Sequence, residues 1–206
     1  MDHIDELATA LARLPGIGPR QAKRFVYFLL ATPASERTKL AELIASLGKE
    51  VRQCPDCMRF YNGSTATICG YCSDTKRDDA LLMLVEKDQD LAAVERAGTY
   101  KGRYFVLGGV LMLSGKGAIR EKELVHTIEK RLSDGHSVSI KLREVVLALS
   151  ATSEGEHTAD RVRELLAPFR DLLKTSELGR GLATGSELEY SDAETLRAAL
   201  TNRKEA

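Results

Sequence analysis

All four cysteines of the chain lie within one short stretch, Cys54 to Cys72, as two Cys-x-x-Cys pairs, CPDC and CGYC. Thiolates spaced i, i+3 on a tight turn face a common point. Two such turns supply the four sulfurs of a tetrahedral Zn²⁺ site. The residues between the pairs are mostly polar, include Asn62 and Gly63, and are too few to build a core of their own, so they form a loop or a short ribbon. Disulfides are one rival reading, and a thioredoxin-like redox pair is another, although that chemistry calls for a single Cys-x-x-Cys beside a βαβ unit. The spacing favours one structural Zn²⁺ per chain, held by Cys54, Cys57, Cys69 and Cys72. A clasp of this kind fastens other segments, so the function is to be sought in what flanks it.

The chain has 206 residues, of which 43% are hydrophobic, enough for one large domain or two or three small ones with real cores. Asp2, Asp5 and Glu6 do not make the basic start of a signal peptide, and no apolar run approaches the ~18 residues of a membrane helix. The expected location is the cytoplasm, where thiols stay reduced, which weakens the disulfide reading. Formal net charge is +0, so any affinity for a polyanion has to come from a local patch.

Such a patch lies near the start. From Leu7 to Ser35 there is no acidic residue, whereas Arg13, Arg20, Lys23 and Arg24 crowd the middle of the stretch. Leu7, Leu11 and Leu14 share one helical face, Pro15-Gly16-Ile17-Gly18-Pro19 interrupts it, and Ala22, Phe25, Val26 and Leu29 resume the period. This predicts helix, hairpin, helix. Gly16 and Gly18 can adopt backbone angles closed to other residues, and Pro19 suits the first turn of the second helix. Free amides at that helix start form an anion site, for which a phosphodiester is a natural guest. The plainer alternative is an αα-hairpin with a glycine turn and a solvated basic face. A further helical segment over Lys39 to Val51 carries Leu40, Leu43, Ile44 and Leu47 as a stripe expected to pack.

Beyond the solvated Asp74 to Asp79, strands and helices alternate. Leu81–Val85, Tyr104–Leu107, Glu144–Leu149 and Phe169–Leu173 read as strands; Asp88–Ala97, Ile119–Leu132 and Gly155–Leu166 read as helices, the first stopped by Gly98 and the last by Pro168. The pattern predicts an α/β sheet, mostly parallel, with its functional edge at the carboxyl ends of the strands. Those ends present Glu86 and the turn from Ser150 to Glu156. His3, His126, His136 and His157 are scattered and suggest no catalytic constellation. Gly115-Lys116-Gly117 lacks the rest of a phosphate-loop motif.

Taken together, LPGIGPRQAKR, CPDC with CGYC, GRYFVLGGVL, SEGEHTA and GSELEY resemble, in order and spacing, the bacterial RecR family of recombination mediators, over nearly the whole chain. The resemblance implies a multidomain α plus α/β protein. Its parts would be a helix-hairpin-helix DNA-binding domain over residues 1–53, a four-cysteine zinc finger over 54–78, a Toprim domain over 79–176 and an oligomerising carboxyl-terminal tail over 177–206. It further implies sequence-independent DNA contact through Arg13, Gly16, Gly18, Arg20, Lys23 and Arg24. A homo-oligomeric ring, dimer or tetramer, would act with RecO and RecF to help load RecA at gapped DNA, in the cytoplasm and near the nucleoid, with no membrane partner.

Several positions depart from the family pattern. The cysteine pairs are further apart than usual; Gly108 and Met112-Leu113 replace a His and a Ser-Pro; Ser150-Ala151-Thr152 replaces Asn-Pro-Thr; and the tail runs Gly181 to Ser186 without its prolines. Set beside catalytic Toprim sites, which resemble one Glu after the first strand plus Asp-x-Asp after a later one, the chain keeps Glu86 but has Ser150 and Thr152 at the paired positions. Glu154 and Glu156 could hold an ion weakly or bind a partner, or could simply favour the start of the following helix. The expectation is therefore a protein that is not an enzyme. A Mg²⁺-dependent enzyme acting on phosphodiesters and an adapter that never touches DNA are the alternatives.

Overall fold

The computed structural model describes residues 2–63, 66–133, 141–182, 184–185 and 187–203; His136, Ala183 and Ser186 lie outside them. The chain divides into two compact units, residues 1–52 and 53–206.

In the first unit, α1 (His3–Leu11) is capped by the Asp2 side chain, and α2 (Pro19–Ala31) starts on Pro19 at the position where a missing N–H costs nothing. Ala8, Ala22 and Val26 are buried between them, flanked by Ile4, Leu11, Ala12 and Ile17. The packed face of α1 is thus Ile4-Ala8-Leu11. Leu7 and Leu14, expected on that face, are exposed; Leu14 lies beyond the end of α1. The third helix, α3 (Ala34–Glu50), is longer than its periodicity predicted and buries nothing. Its stripe Leu40, Leu43, Ile44 and Leu47 is 44 to 62% exposed, contrary to the expectation that it packs.

The division falls within β1 (Val51–Gln53), which forms a two-stranded ribbon with β2 (Phe60–Asn62), and the one-turn helix α4 (Gly70–Ser73) follows. Then come β3 (Asp78–Val85), α5 (Asp88–Ala97), β4 (Gly102–Val106), α6 (Glu121–Leu132), β5 (Glu144–Ala148), α7 (Ser153–Leu166), β6 (Lys174–Glu177) and α8 (Ala193–Thr201). Gly98 ends α5 in the left-handed conformation that its lack of a Cβ allows. The fourth strand begins at Lys174 and not at Phe169, since Pro168 tightens the end of α7 into a 3₁₀ turn through Phe169.

The four long strands form one sheet in the order β4-β3-β5-β6, with all three pairings parallel. Because β3 is covered on both sides, its residues alternate between two cores, which is why it reads as an unbroken apolar run. Leu82 and Leu84 join Phe105, Leu124, Ile128, Val145 and Val162 on one face; Met83 and Val85 join Leu91, Tyr104 and Val106 on the other. The chain runs from β3 outward to β4 and then crosses back to β5. The direction of winding therefore reverses between β3 and β5, the place where sheets of this kind open a crevice.

Candidate functional sites: a sulfur clasp, a carboxylate corner and a basic hairpin

Two backbone turns bring the cysteines together. In the first, Met58 adopts a left-handed φ of 61° and its N–H donates to the Cys54 carbonyl at 2.9 Å, so the chain doubles back with both sulfurs inward. In the second, the Cys72 and Ser73 N–H groups both donate to the Cys69 carbonyl at 3.0 Å. The four Sγ atoms lie within 4.8 Å of one another, with Cys54, Cys57 and Cys69 buried. All four are free thiols. The Cys69 N–H donates to Cys54 Sγ at 3.4 Å, and Cys57 and Cys69 sulfurs stand 3.6 Å apart. Such crowding makes the thiols share protons: donation from Cys57 pulls Cys54 down, and the donor is itself pushed up. Four convergent soft donors in an enclosed position fit a Zn²⁺ ion, which would replace those shared protons and turn the four sulfurs into one cross-link.

The clasp is fastened to the edge strand of the sheet. Val106 of β4 donates its N–H to the Cys57 carbonyl at 2.8 Å, and Arg120 reaches the Met58 carbonyl (3.2 Å) and the Val106 carbonyl (2.8 Å). Asp56 pairs with Lys130 at 2.9 Å. Met58 packs on the core on one face of the sheet, and Tyr71 packs on the core on the other. Tyr71 is itself covered by the Arg59 and Arg77 guanidinium groups at 4.4 and 4.8 Å from its ring centre. The two turns thus straddle β4 and cover an edge that would otherwise offer unpaired backbone groups.

At the winding reversal stands the second group. Glu86 follows β3 and is only 8% exposed. Its Oε1 accepts from the Ser150 N–H at 2.7 Å and from the Ser150 hydroxyl at 2.5 Å, so the carboxylate is satisfied from within the turn. Thr152 caps α7 by accepting from the Gly155 N–H at 3.1 Å. Gly155 is required here, because a Cβ at that position would collide with the Ser150 carbonyl. Glu154 is half-buried, and Glu156 forms an ion pair with Arg180. Nearby, Gly108 takes a φ of 92° with the Arg120 guanidinium against it, filling the space a side chain would need.

In the hairpin, Gly16 has the expected left-handed φ of 77°, whereas Gly18 is extended and is the N-cap of α2 with no side-chain cap. Arg13, Arg20, Lys23 and Arg24 are all exposed. Lys23 pairs with Asp5 at 3.2 Å, and Arg24 makes a long contact with Gln21 at 3.5 Å. His3, His126 and His157 lie on three different helices, α1, α6 and α7.

Reasoning from the sequence overlooked the supports of the clasp: Arg103, Asp79, Arg120 and the Asp56–Lys130 pair. One signal was present, an arginine inside the apolar strand GRYFV. No helix among the described residues is long and apolar enough to cross a membrane.

Comparison with known proteins adds the family. The profile of the RecR helix-hairpin-helix matches residues 4–47, that of the Toprim domain residues 80–174, and that of the RecR C-terminal region residues 181–204. The recombination protein RecR of Dehalococcoides mccartyi is 34% identical over 98% of this chain and 93% of its own length. That of Cutibacterium acnes is 37% identical over 97% and 94%, and that of Tropheryma whipplei 35% over 98% and 96%. Identity at this level along essentially the full length means that the chain belongs to the RecR family.

Proposed function

We propose that the chain is a non-catalytic mediator of recombinational DNA repair that grips the DNA backbone without reading sequence. It closes into a homo-oligomeric ring or clamp and works with RecO and RecF to help load RecA on gapped DNA, in the cytoplasm and at the nucleoid. Its place in recombination and repair follows from the family. The division at residues 53, 78 and 176 into hairpin, zinc finger, Toprim domain and tail belongs to the same reading.

The observation that carries the DNA contact is the build of the hairpin. Gly16 turns the chain, Gly18 leaves the start of α2 without a side-chain cap, and the Arg20 and Gln21 amides face a place where a phosphate oxygen fits. Arg13, Arg20 and Arg24 add exposed cations around it. Contacts of this kind go to phosphate and carry no sequence information. So few cations make one copy a weak binder, and copies arrayed on one DNA multiply the effective concentration of the patch. Exposed apolar residues on α3 (Leu43, Ile44, Leu47) and on α8 (Leu200) support self-association. The clasp would hold one structural Zn²⁺ through Cys54, Cys57, Cys69 and Cys72, a cross-link at the sheet edge with no part in chemistry. Against a Mg²⁺-dependent enzyme stands the engagement of Glu86 by Ser150 and the hydroxyls at the paired carboxylate positions.

The test is the salt dependence of DNA affinity. Replacing Arg20 and Arg24 together by Ala should weaken binding to unrelated sequences about equally and reduce the slope of log K against log salt by roughly two phosphate contacts. An unchanged slope removes the hairpin as the DNA site. A strictly monomeric solution mass with and without gapped duplex removes the clamp.

A further inference from the structure

Arg103 is the second residue of the edge strand β4, with its charge turned toward the clasp, and it is only 8% exposed. A buried guanidinium is costly unless every part of it is engaged. Here Nη1 donates to the Tyr71 carbonyl at 2.8 Å and to the Cys72 carbonyl at 3.0 Å, and Nε donates to Asp79 Oδ1 at 2.7 Å. Asp79 also faces Arg131 at 3.9 Å, so two arginines share one carboxylate and leave a net positive charge behind the second Cys-x-x-Cys turn. A four-thiolate Zn²⁺ centre carries a formal charge of −2, and its burial calls for cations nearby that cannot drift away. The first turn has no such arginine pair. It is held by the Val106 N–H and by Arg120 at main-chain carbonyls, with Asp56–Lys130 at its rim.

We propose that Arg103, oriented by Asp79, is the positioning residue of the metal clasp. It fixes the carbonyls of the second cysteine turn from outside, so that Cys69 and Cys72 are aimed at the ion, and it offsets the charge of the filled site. Because Arg103 belongs to β4, metal occupancy and closure of the sheet edge become one event. Lysine cannot substitute fully. Its single ammonium lacks the fork that reaches two carbonyls and the carboxylate together.

This rests on the zinc reading of the clasp, and the test separates the two. The full-length chain is prepared with Zn²⁺, and release of the ion to a chromophoric chelator is timed for the wild type, Arg103→Met, Arg103→Lys, Asp79→Asn and the core control Val162→Ala. Losses of outer-sphere partners typically weaken metal sites ~10–100-fold. Arg103→Met should therefore release Zn²⁺ faster by about that factor, with Arg103→Lys between it and the wild type and Asp79→Asn several-fold faster than the wild type. Val162→Ala, which lowers stability away from the clasp, should release at the wild-type rate. The thiolate-to-metal charge-transfer band of the Co²⁺-loaded chain should shift in Arg103→Met and stay put in Val162→Ala. Should Arg103→Met fail to fold, Asp79→Asn and Arg103→Lys carry the comparison. Release from the Arg103 and Asp79 variants at the rate of the wild type or of the core control overturns the proposal. A wild-type chain that takes up neither Zn²⁺ nor Co²⁺ overturns the zinc reading itself.

Discussion

Two places in the α/β unit gather residues of the kind that bind metals, and they are built in opposite ways. At the clasp, the four sulfurs lie within 4.8 Å of one another, while Val106, Arg103 and Arg120 hold backbone carbonyls of the two cysteine turns. At the corner between β3 and β5, two of the three acidic side chains are already engaged. Ser150 satisfies Glu86 with both its N–H and its hydroxyl, and Arg180 takes Glu156. The donors differ in kind, soft sulfur at the clasp and hard oxygen at the corner. They also differ in setting: the sulfurs converge on one another, whereas Glu86 and Glu156 each meet a donor from their own surroundings.

The largest break in this contrast comes from the clasp. Structural Zn²⁺ in small modules is worth ~10–16 kcal/mol of folding free energy, so a lost ligand removes more than any single packing change. Cys57→Ser is expected to abolish tight metal retention, lower the thermal midpoint sharply and speed amide exchange at Val106, whose N–H rests on the Cys57 carbonyl. Hydrogen exchange followed by mass spectrometry checks it. Protection of Val106 that persists after verified loss of metal would mean that the edge is covered by packing alone.

How much of this was legible beforehand differs between the two places for a physical reason. The cysteine pairs are close in sequence, and a tight turn at each pair is a local event, so the spacing alone announces convergence. The sheet was legible too, because β3 is buried on both faces and its apolar run has no other good explanation. Long-range pairings were not. Nothing local tells Glu86 that Ser150 will stand beside it, or tells Arg103 that its fork will meet the Tyr71 and Cys72 carbonyls. The stripe on α3 is legible as apolar, but it is exposed within the chain, since periodicity reports a face and not what covers it. The start of β6 is less legible for a smaller reason: Pro168 does not end the helical path at once but tightens it into a 3₁₀ turn through Phe169 before the strand begins at Lys174.

A smaller effect sharpens the comparison through pH. Glu95 lies next to the clasp, where burial raises its carboxyl, but Arg77 at 2.6 Å and the Tyr104 hydroxyl at 2.5 Å outweigh burial and hold it below the ordinary 4.5. A carboxylate lowered in the folded state contributes stability that is complete above its unfolded value and disappears as pH falls through its folded value. Urea unfolding measured from neutral pH downward should lose stability below about 4.5, and Glu95→Gln should be less stable at neutral pH with a flatter acid limb. Acid limbs of equal slope in the two chains would show that the Arg77–Glu95–Tyr104 cluster does not set the response.

The smallest expected effect is also the most direct exchange of roles between the two places. Ser150→Asp with Thr152→Asp restores carboxylates at the corner. Aspartate is as good an N-cap as threonine, so α7 should still start at Ser153. Without a divalent ion the double variant should be less stable than the wild type, because Glu86 loses a hydroxyl donor and gains like charges in a site that is 8% exposed. Mg²⁺ should reverse that loss: a site of millimolar affinity gains about 1.4 kcal/mol at ten times its dissociation constant, visible as a rise of a few degrees in thermal midpoint. The wild-type corner, its carboxylate already engaged by Ser150, should show no such rise beyond that of a monovalent salt control. Equal Mg²⁺ shifts in both chains would mean that Ser150 does not close the corner, and that the two places differ less than their hydrogen bonds imply.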